Sequence, residues 1–197
     1  IAFMSNIDEN LNLLHKALNE RLYQPGKYTG FYVRDPKIRL IHKAEVADRV
    51  VHHIVSRELE QIFEPTYIAY SYSCRKNKGT HRGMIALQKM ALKVSSNNAR
   101  TCWSLKCDIK KFFASVNHRI LFEILSKKIK DQDFLDLLFK IIDSFYSDRT
   151  IDLTDKKGIP IGNLTSQFFS NIYMNEFDQY IKHNLKVKYY LRYADDF

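Results

Sequence analysis

Three carboxylates have the clearest means of doing chemistry: Asp108, and the adjacent pair Asp195 and Asp196. Asp108 ends one run whose pattern predicts a β-strand, residues 101–108, and the pair follows another, residues 186–193. Neighbouring strands lie only about 4.8 Å apart, so side by side these two runs would bring their carboxylates together. Clustered carboxylates repel unless cations sit among them. Hard oxygen ligands with open coordination positions suit Mg²⁺, with Mn²⁺ as a substitute. Two such ions about 3.5 to 4 Å apart clamp the attacking and leaving oxygens of a phosphoryl transfer. An Asp pair on its own is more often only a turn, so its company decides the matter.

The other reactive residue types are arranged for less. Cys74, Cys102 and Cys107 form an odd set without Cys-x-x-Cys spacing, which indicates neither a disulfide framework nor a zinc site and fits a reducing, cytoplasmic compartment. His52 and His53 are neighbours that point about 100° apart on a helix, so they read as helix surface and flank rather than as a metal pair. From Tyr67 to Arg82 rings interleave with cations, the composition of a surface that stacks bases and grips phosphates. Its nucleic-acid-binding candidates are Tyr72, Arg75, Lys76, Lys78 and Arg82; a polar loop with tyrosines packed beneath it is the plainer alternative. Across the chain 31 Lys and Arg face 22 Asp and Glu, a net charge of +9 that favours a polyanionic partner through counterion release. No apolar run reaches the about 18 to 20 residues of a membrane span, so a membrane is not an expected partner.

The elements that must position these residues are legible from periodicity. With 197 residues, 45% hydrophobic and 27% charged, the chain can bury a real core, which excludes disorder, collagen and small disulfide scaffolds. Ile7, Leu11, Leu14, Leu18 and Leu22 predict a helix with one apolar face, stopped by Pro25-Gly26. Residues 28–34 and 37–42 predict a hairpin about Asp35-Pro36, carrying Arg34, Lys37 and Arg39. A helix over 44–62 presents Val46, Val50, Ile54 and Leu59. In 101–108, Trp103, Leu105 and Cys107 alternate with Ser104, Lys106 and Asp108. Helices over 118–129 and 132–146 start at the caps Asn117 and Asp131, and the turn-rich 158–163 leads into a helix over 165–184. The chain opens inside a helical pattern without a start methionine and stops just after the Asp pair, which reads as a fragment.

In order along the chain, these residues resemble the reverse transcriptases. Tyr193-Ala194-Asp195-Asp196 matches their Y-x-D-D box, and Asp108-Ile109-Lys110-Lys111-Phe112-Phe113 resembles their first catalytic motif, an aspartate followed five positions on by an aromatic. The stretch from Gly158 to Gln167 is similar to the glycine-turn-helix motif between them. Lys37-Ile38-Arg39, Asp48-Arg49-Val50-Val51 and Ser71-Tyr72-Ser73-Cys74-Arg75 resemble the fingers motifs of bacterial retroelement enzymes. Gly162 to Gln167 is most similar to the diversity-generating retroelement branch. Group II intron and retron enzymes more often have glutamine where Ile161 stands and proline where Gln167 stands.

The resemblance implies an α+β fold, the fingers and partial palm of a right-hand polymerase with helices packed on a small antiparallel sheet. Residues 1–100 would be the N-terminal helix and fingers, and 101–197 an incomplete palm ending at the catalytic hairpin, with the thumb lying beyond. Asp108 and Asp195 would be the main ligands of two Mg²⁺ ions, with Asp196 in support. Phe113 would be the steric gate under the sugar, Arg39 with Lys37 would hold the triphosphate, Gly162 would let the backbone approach the nucleotide, and Ile161 would touch it. The implied partners are template RNA, a primer, deoxynucleoside triphosphates and an accessory protein. The implied activity is RNA-directed DNA synthesis in a diversity-generating retroelement, with the fragment alone expected to be weakly active or inactive. The alternatives are an enzyme of a group II intron or of bacterial defence, a nuclease using the same metals, and a catalytically silent nucleic-acid-binding fragment.

Overall fold

Helices carry the core of this chain, and they form where an apolar stripe recurs at helical spacing. In the computed structural model, which describes residues 2–34, 36–147 and 155–197, α1 (Ala2–Ser5) and α2 (Ile7–Asn19) precede a hairpin of β1 (Thr29–Arg34) and β2 (Ile38–Lys43). Then come α3 (Val46–Phe63), α4 (Thr80–Val94), the short α5 (Phe112–Ser115), α6 (His118–Lys128), α7 (Gln132–Asp143) and α8 (Leu164–Gln179). A π-helical turn, Tyr180–Asn184, extends α8. Leu59 and Val55 of α3, Leu121 and Leu125 of α6, Leu138 of α7 and Ile172 of α8 meet in one buried cluster. Each such side chain contributes about 1.5–3 kcal/mol on full burial, which is what drives these helices together. Both predicted caps are present: Asn117 accepts from the Ile120 amide at 3.0 Å and Asp131 from the Phe134 amide at 2.8 Å.

The face of α3 differs from the expectation. Ile54 is 49% exposed, whereas Val51, Val55, Leu59 and Phe63 are buried together with Asp48, His52 and Ser56. The buried stripe is rotated by about one residue because polar side chains share it: Asp48 accepts from the Tyr23 hydroxyl at 2.7 Å and the Gly26 amide at 3.0 Å, and His52 Nδ1 lies 2.8 Å from Thr165 Oγ1 of α8. His52 is therefore interior, not helix surface. On α2 only Leu14 is buried while Ile7 and Leu11 stay exposed, and Leu22, expected on the same helix, lies beyond its end and is exposed as well.

The two β-rich runs pair as the expected hairpin, in antiparallel register from Thr29 opposite Lys43 to Arg34 opposite Ile38. Its turn residue Asp35 lies outside the described residues. β1 is exposed throughout, whereas Leu40, Ile41 and His42 of β2 are half-buried, so the hairpin meets the rest of the chain through β2 alone. The predicted strands 101–108 and 186–193 shrink to isolated bridges, Asp108 opposite Asp196 and Ser71 beside Arg192. Residues 101–106 have no ladder partner among the described residues, and pleated alternation without a partner is not a strand; Trp103 and Leu105 are correspondingly exposed. Helix α4 had no counterpart in the periodicity reading, and among its residues only Gly83 is buried.

Candidate active site

A tight turn closes the described chain. The Tyr193 amide donates to the Asp196 carbonyl at 2.8 Å and the Asp196 amide returns to Tyr193 at 3.0 Å, leaving Ala194 and Asp195 at the tip. Ala194 has φ +55° while Asp195 does not share the positive φ, the φ pattern of a type II′ turn. A left-handed alanine costs about 1–2 kcal/mol, so something must hold it there. Alongside, Cys107 and Phe197 exchange hydrogen bonds of 2.7 and 2.9 Å, Asp108 lies opposite Asp196 in an antiparallel bridge, and the Ile109 amide reaches the Asp195 carbonyl at 3.3 Å. Directly opposed residues of an antiparallel pair share a face, so this short ladder sets Asp108 beside Asp196, and the charges of both reach Asp195.

Their mutual influence is electrostatic. The Asp195 carboxyl is held above the ordinary carboxylate range by burial first and then by the charges of Asp108 and Asp196, while Arg39 of β2 opposes the shift. Asp196 also makes an ion pair with the exposed Lys106 at 3.3 Å. No group of three such side chains among the described residues is drawn together tightly enough to be a finished metal site. The donor chemistry nevertheless fits a hard divalent cation: carboxylate oxygens that repel one another until positive charge arrives.

Beneath the turn lies a residue that the periodicity reading missed. Arg192 is fully buried and pairs with the equally buried Asp178 of α8 through Nε, at 2.8 and 3.0 Å, and Nη2, at 2.7 Å. Its Nη1 donates to Asn171 Oδ1 at 3.3 Å and to the Ala194 carbonyl at 2.8 Å, and Nη2 reaches Ser71 Oγ at 3.1 Å. A signal was present in the sequence: Asn171, Asn175 and Asp178 recur at helical spacing on a helix that otherwise belongs in the core, a polar stripe needing a buried partner.

The remaining candidates fall into two groups. Near the turn, Arg39 opposes Val33 on the hairpin and acts on Asp195, while Lys37 lies in the exposed connection between the strands. Phe113 is half-buried against the core, edge-on to Phe112 at 5.8 Å. The Ile161 carbonyl accepts from the His42 amide at 2.8 Å, and Asn163 Nδ2 donates to the His42 carbonyl at 3.1 Å, which stitches β2 to the start of α8. Gly162, at φ +112°, has Ile41 Cγ2 only 2.6 Å from where a Cβ would sit, so the close approach its missing side chain allows is to β2.

The second group lies on the aromatic and basic loop. Arg75 turns inward, bonding both Glu64 oxygens and the carbonyls of Ile68 and Ser71, with a side chain only 6% exposed. The Tyr72 ring is buried beside Gly83 of α4. Burial and internal bonding thus make these two builders of the loop rather than free contacts. Lys78 donates to the Ala69 carbonyl at 2.7 Å and lies over the Tyr72 ring, Arg82 donates to the Asn77 carbonyl, and Lys76 is exposed. The loop is joined to the turn: the Arg192 amide donates to Tyr70, the Tyr72 amide to Arg192, both at 3.0 Å, and Thr80 Oγ1 to the Tyr193 hydroxyl at 3.1 Å.

Comparison with known proteins gives the family of the chain. A family model described as "Reverse transcriptase (RNA-dependent DNA polymerase)" matches residues 30–197. Protein YkfC of Escherichia coli K12 is 29% identical over 174 residues, covering 87% of this chain and 45% of that protein. An uncharacterized 91 kDa protein in the cob intron of Schizosaccharomyces pombe is 33% identical over 143 residues, covering 72% and 17%. The group II intron-encoded protein LtrA of Lactococcus lactis is 25% identical over 185 residues, covering 92% and 30%. The chain spans less than half the length of each of these relatives.

Proposed function

The chain belongs to the reverse transcriptase (RNA-dependent DNA polymerase) family, and from that premise we propose that it is the fingers (1–100) and palm (101–197) portion of an enzyme that extends a primer on an RNA template with deoxynucleotides. The observation that carries this reading is the single antiparallel bridge that sets Asp108 against the Asp195-Asp196 turn. Asp108 and Asp195, with Asp196 beside them, would hold two Mg²⁺ ions, which neutralise charge on the attacking and leaving oxygens of nucleotidyl transfer when bound. Arg39, placed to act on Asp195, would grip the triphosphate, with Lys37 further out on the arm. Phe113 would exclude a 2′-hydroxyl by contact, and Ile161 and Gly162 would line the nucleotide's approach. Lys76, Lys78 and Arg82 would hold template backbone, on a loop that Arg75 and Tyr72 build. Pairing with the template supplies sequence choice, so the protein's task is to grip backbone and shape.

Among the branches of the family, the Gly162 to Gln167 segment and Ile161 support a retroelement of diversity-generating type. The intron-encoded relatives support the group II alternative. An isoleucine at position 161 leaves unmade a hydrogen bond that glutamine there would offer, worth about 0.5–1.5 kcal/mol, and discrimination should loosen roughly two- to tenfold. Ile161→Gln should then lower misincorporation on a defined RNA template; equal error rates at every template base would remove this support. An odd cysteine count without Cys-x-x-Cys spacing supports a reducing, cytoplasmic compartment. No helix among the described residues is long and apolar enough to cross a membrane.

The function is tested with an RNA template, an annealed DNA primer, Mg²⁺ and deoxynucleotides. Template-directed extension that stops when EDTA removes the metal is expected. Degradation without extension would indicate the nuclease alternative, and binding without either reaction would indicate the silent one.

A further inference from the structure

Arg192 does more than fill the interior. Each of its five side-chain N–H donors has a partner: two go to Asp178, and the others to Asn171, Ser71 and the carbonyl of Ala194. The last of these is the only one that reaches the turn. Ala194 sits at φ +55°, where an alanine does not stay of its own accord, and its carbonyl belongs to the peptide that leads into Asp195. Asp178 holds the guanidinium from the opposite side, on the long, well-packed α8, and itself accepts from the Tyr190 hydroxyl at 2.7 Å. Ser71 ties the same guanidinium to the loop that carries Lys76, Lys78 and Arg82.

We propose that Arg192 is a positioning residue for the catalytic turn: anchored on Asp178, it pins the Ala194 carbonyl, so that Asp195 faces Asp108, and locks that turn to the loop at Ser71. The proposal rests on the polymerase reading for its effect on synthesis, but not for its effect on metal binding. Lysine keeps the charge that answers Asp178 but concentrates it in one ammonium group, which cannot reach Asp178, Asn171, Ser71 and Ala194 together. Outer contacts that orient metal ligands typically change metal affinity or activity by about 10–100-fold when lost.

The test uses Arg192→Lys and, because a buried charge is being disturbed, a second variant in which Arg192→Met is combined with Asp178→Leu. That pair keeps an apolar volume in place of the ion pair without leaving a lone charge. Two readouts are taken on the full-length protein: Mn²⁺ binding by electron paramagnetic resonance, and the Mg²⁺ concentration that half-saturates primer extension. Both variants should melt cooperatively and bind template-primer as the wild type does, while Mn²⁺ affinity falls and half-saturating Mg²⁺ rises by about tenfold. A folded variant with wild-type metal dependence overturns the proposal. So does loss of cooperative melting in both, which makes Arg192 purely structural. If the wild type binds Mn²⁺ without extending primers, the polymerase reading fails, and weakened Mn²⁺ binding in the variants still upholds the role of Arg192. A wild type that does neither overturns both.

Discussion

Asp195 is where burial and function pull in opposite directions. Its carboxyl is held above the ordinary value of about 3.9, by burial first and by Asp108 and Asp196 next. A carboxyl raised in the folded state contributes stability below the unfolded value, and this is lost as pH rises through the folded one. At neutral pH the metal-free protein therefore carries a repulsion that a cation would relieve. Asp195→Asn should raise the melting temperature of the metal-free protein at pH 7, and Mg²⁺ should raise that of the wild type but not of the variant; identical Mg²⁺ responses would contradict the assignment. Phe113, half-buried beside Phe112, combines packing with its proposed place at the nucleotide. Phe113→Ala should increase ribonucleotide relative to deoxynucleotide incorporation, and an unchanged ratio would return the ring to the core. That Asp108 lies opposite the Asp195-Asp196 turn was legible because motif order pairs the two segments. Arg192 was not, because a lone arginine before a turn looks solvated until a polar stripe on another helix is seen to need it.

At the scale of elements, spacing revealed most helices but not which side of each is buried. The apolar stripe expected at Val46, Val50 and Ile54 lies next to the true one, and Asp48 and His52 could be read as interior only once Tyr23 and Thr165 were seen to satisfy them. Helix α4 is hard to read from the sequence because cations and tyrosines before it suggest a loop, and its own apolar residues Met84, Ile85 and Leu87 are exposed. The strands around the carboxylates failed as strands for want of ladder partners, although their ends still meet. The seam between β2 and the start of α8 is the element contact on which the proposed nucleotide site depends. At Gly162 an added Cβ would meet Ile41 at 2.6 Å in a left-handed backbone. Gly162→Ala should cost about 1–3 kcal/mol, measured by urea unfolding, and should raise the KM for deoxynucleotides through displacement of Arg39. A variant as stable as the wild type would show that the hairpin is not held there. Protonation tests the interior of the bundle. Burial pushes His52 and His118 below their ordinary range, so the stability they contribute is present above about pH 6.5 and lost as pH falls through the depressed values. Melting temperature should therefore drop between pH 7 and pH 5.

For the whole molecule, a net charge of +9 and a loop of cations tied to a turn of mutually repelling carboxylates fit the proposed nucleic-acid partner. Affinity for template-primer should fall steeply with salt. Lys76→Ala should reduce the slope of log affinity against log salt by about one phosphate contact, and an unchanged slope would take Lys76 off the binding path. The order of the motifs made the family legible, and composition supports the proposed polyanionic partner. The coupling between loop and turn required the fold, because Ser71 and Arg192 lie 121 residues apart in sequence and touch only in the folded chain. In the proposed enzyme, Asp108 and the Asp195-Asp196 turn form one metal-dependent site for nucleotidyl transfer. This is tested most directly by RNA-templated primer extension with full-length wild type, Asp108→Asn and Asp195→Asn, with template-primer affinity measured on the same preparations. The prediction is that each variant binds template-primer as the wild type does and shows no detectable extension; undiminished extension by either would contradict the account.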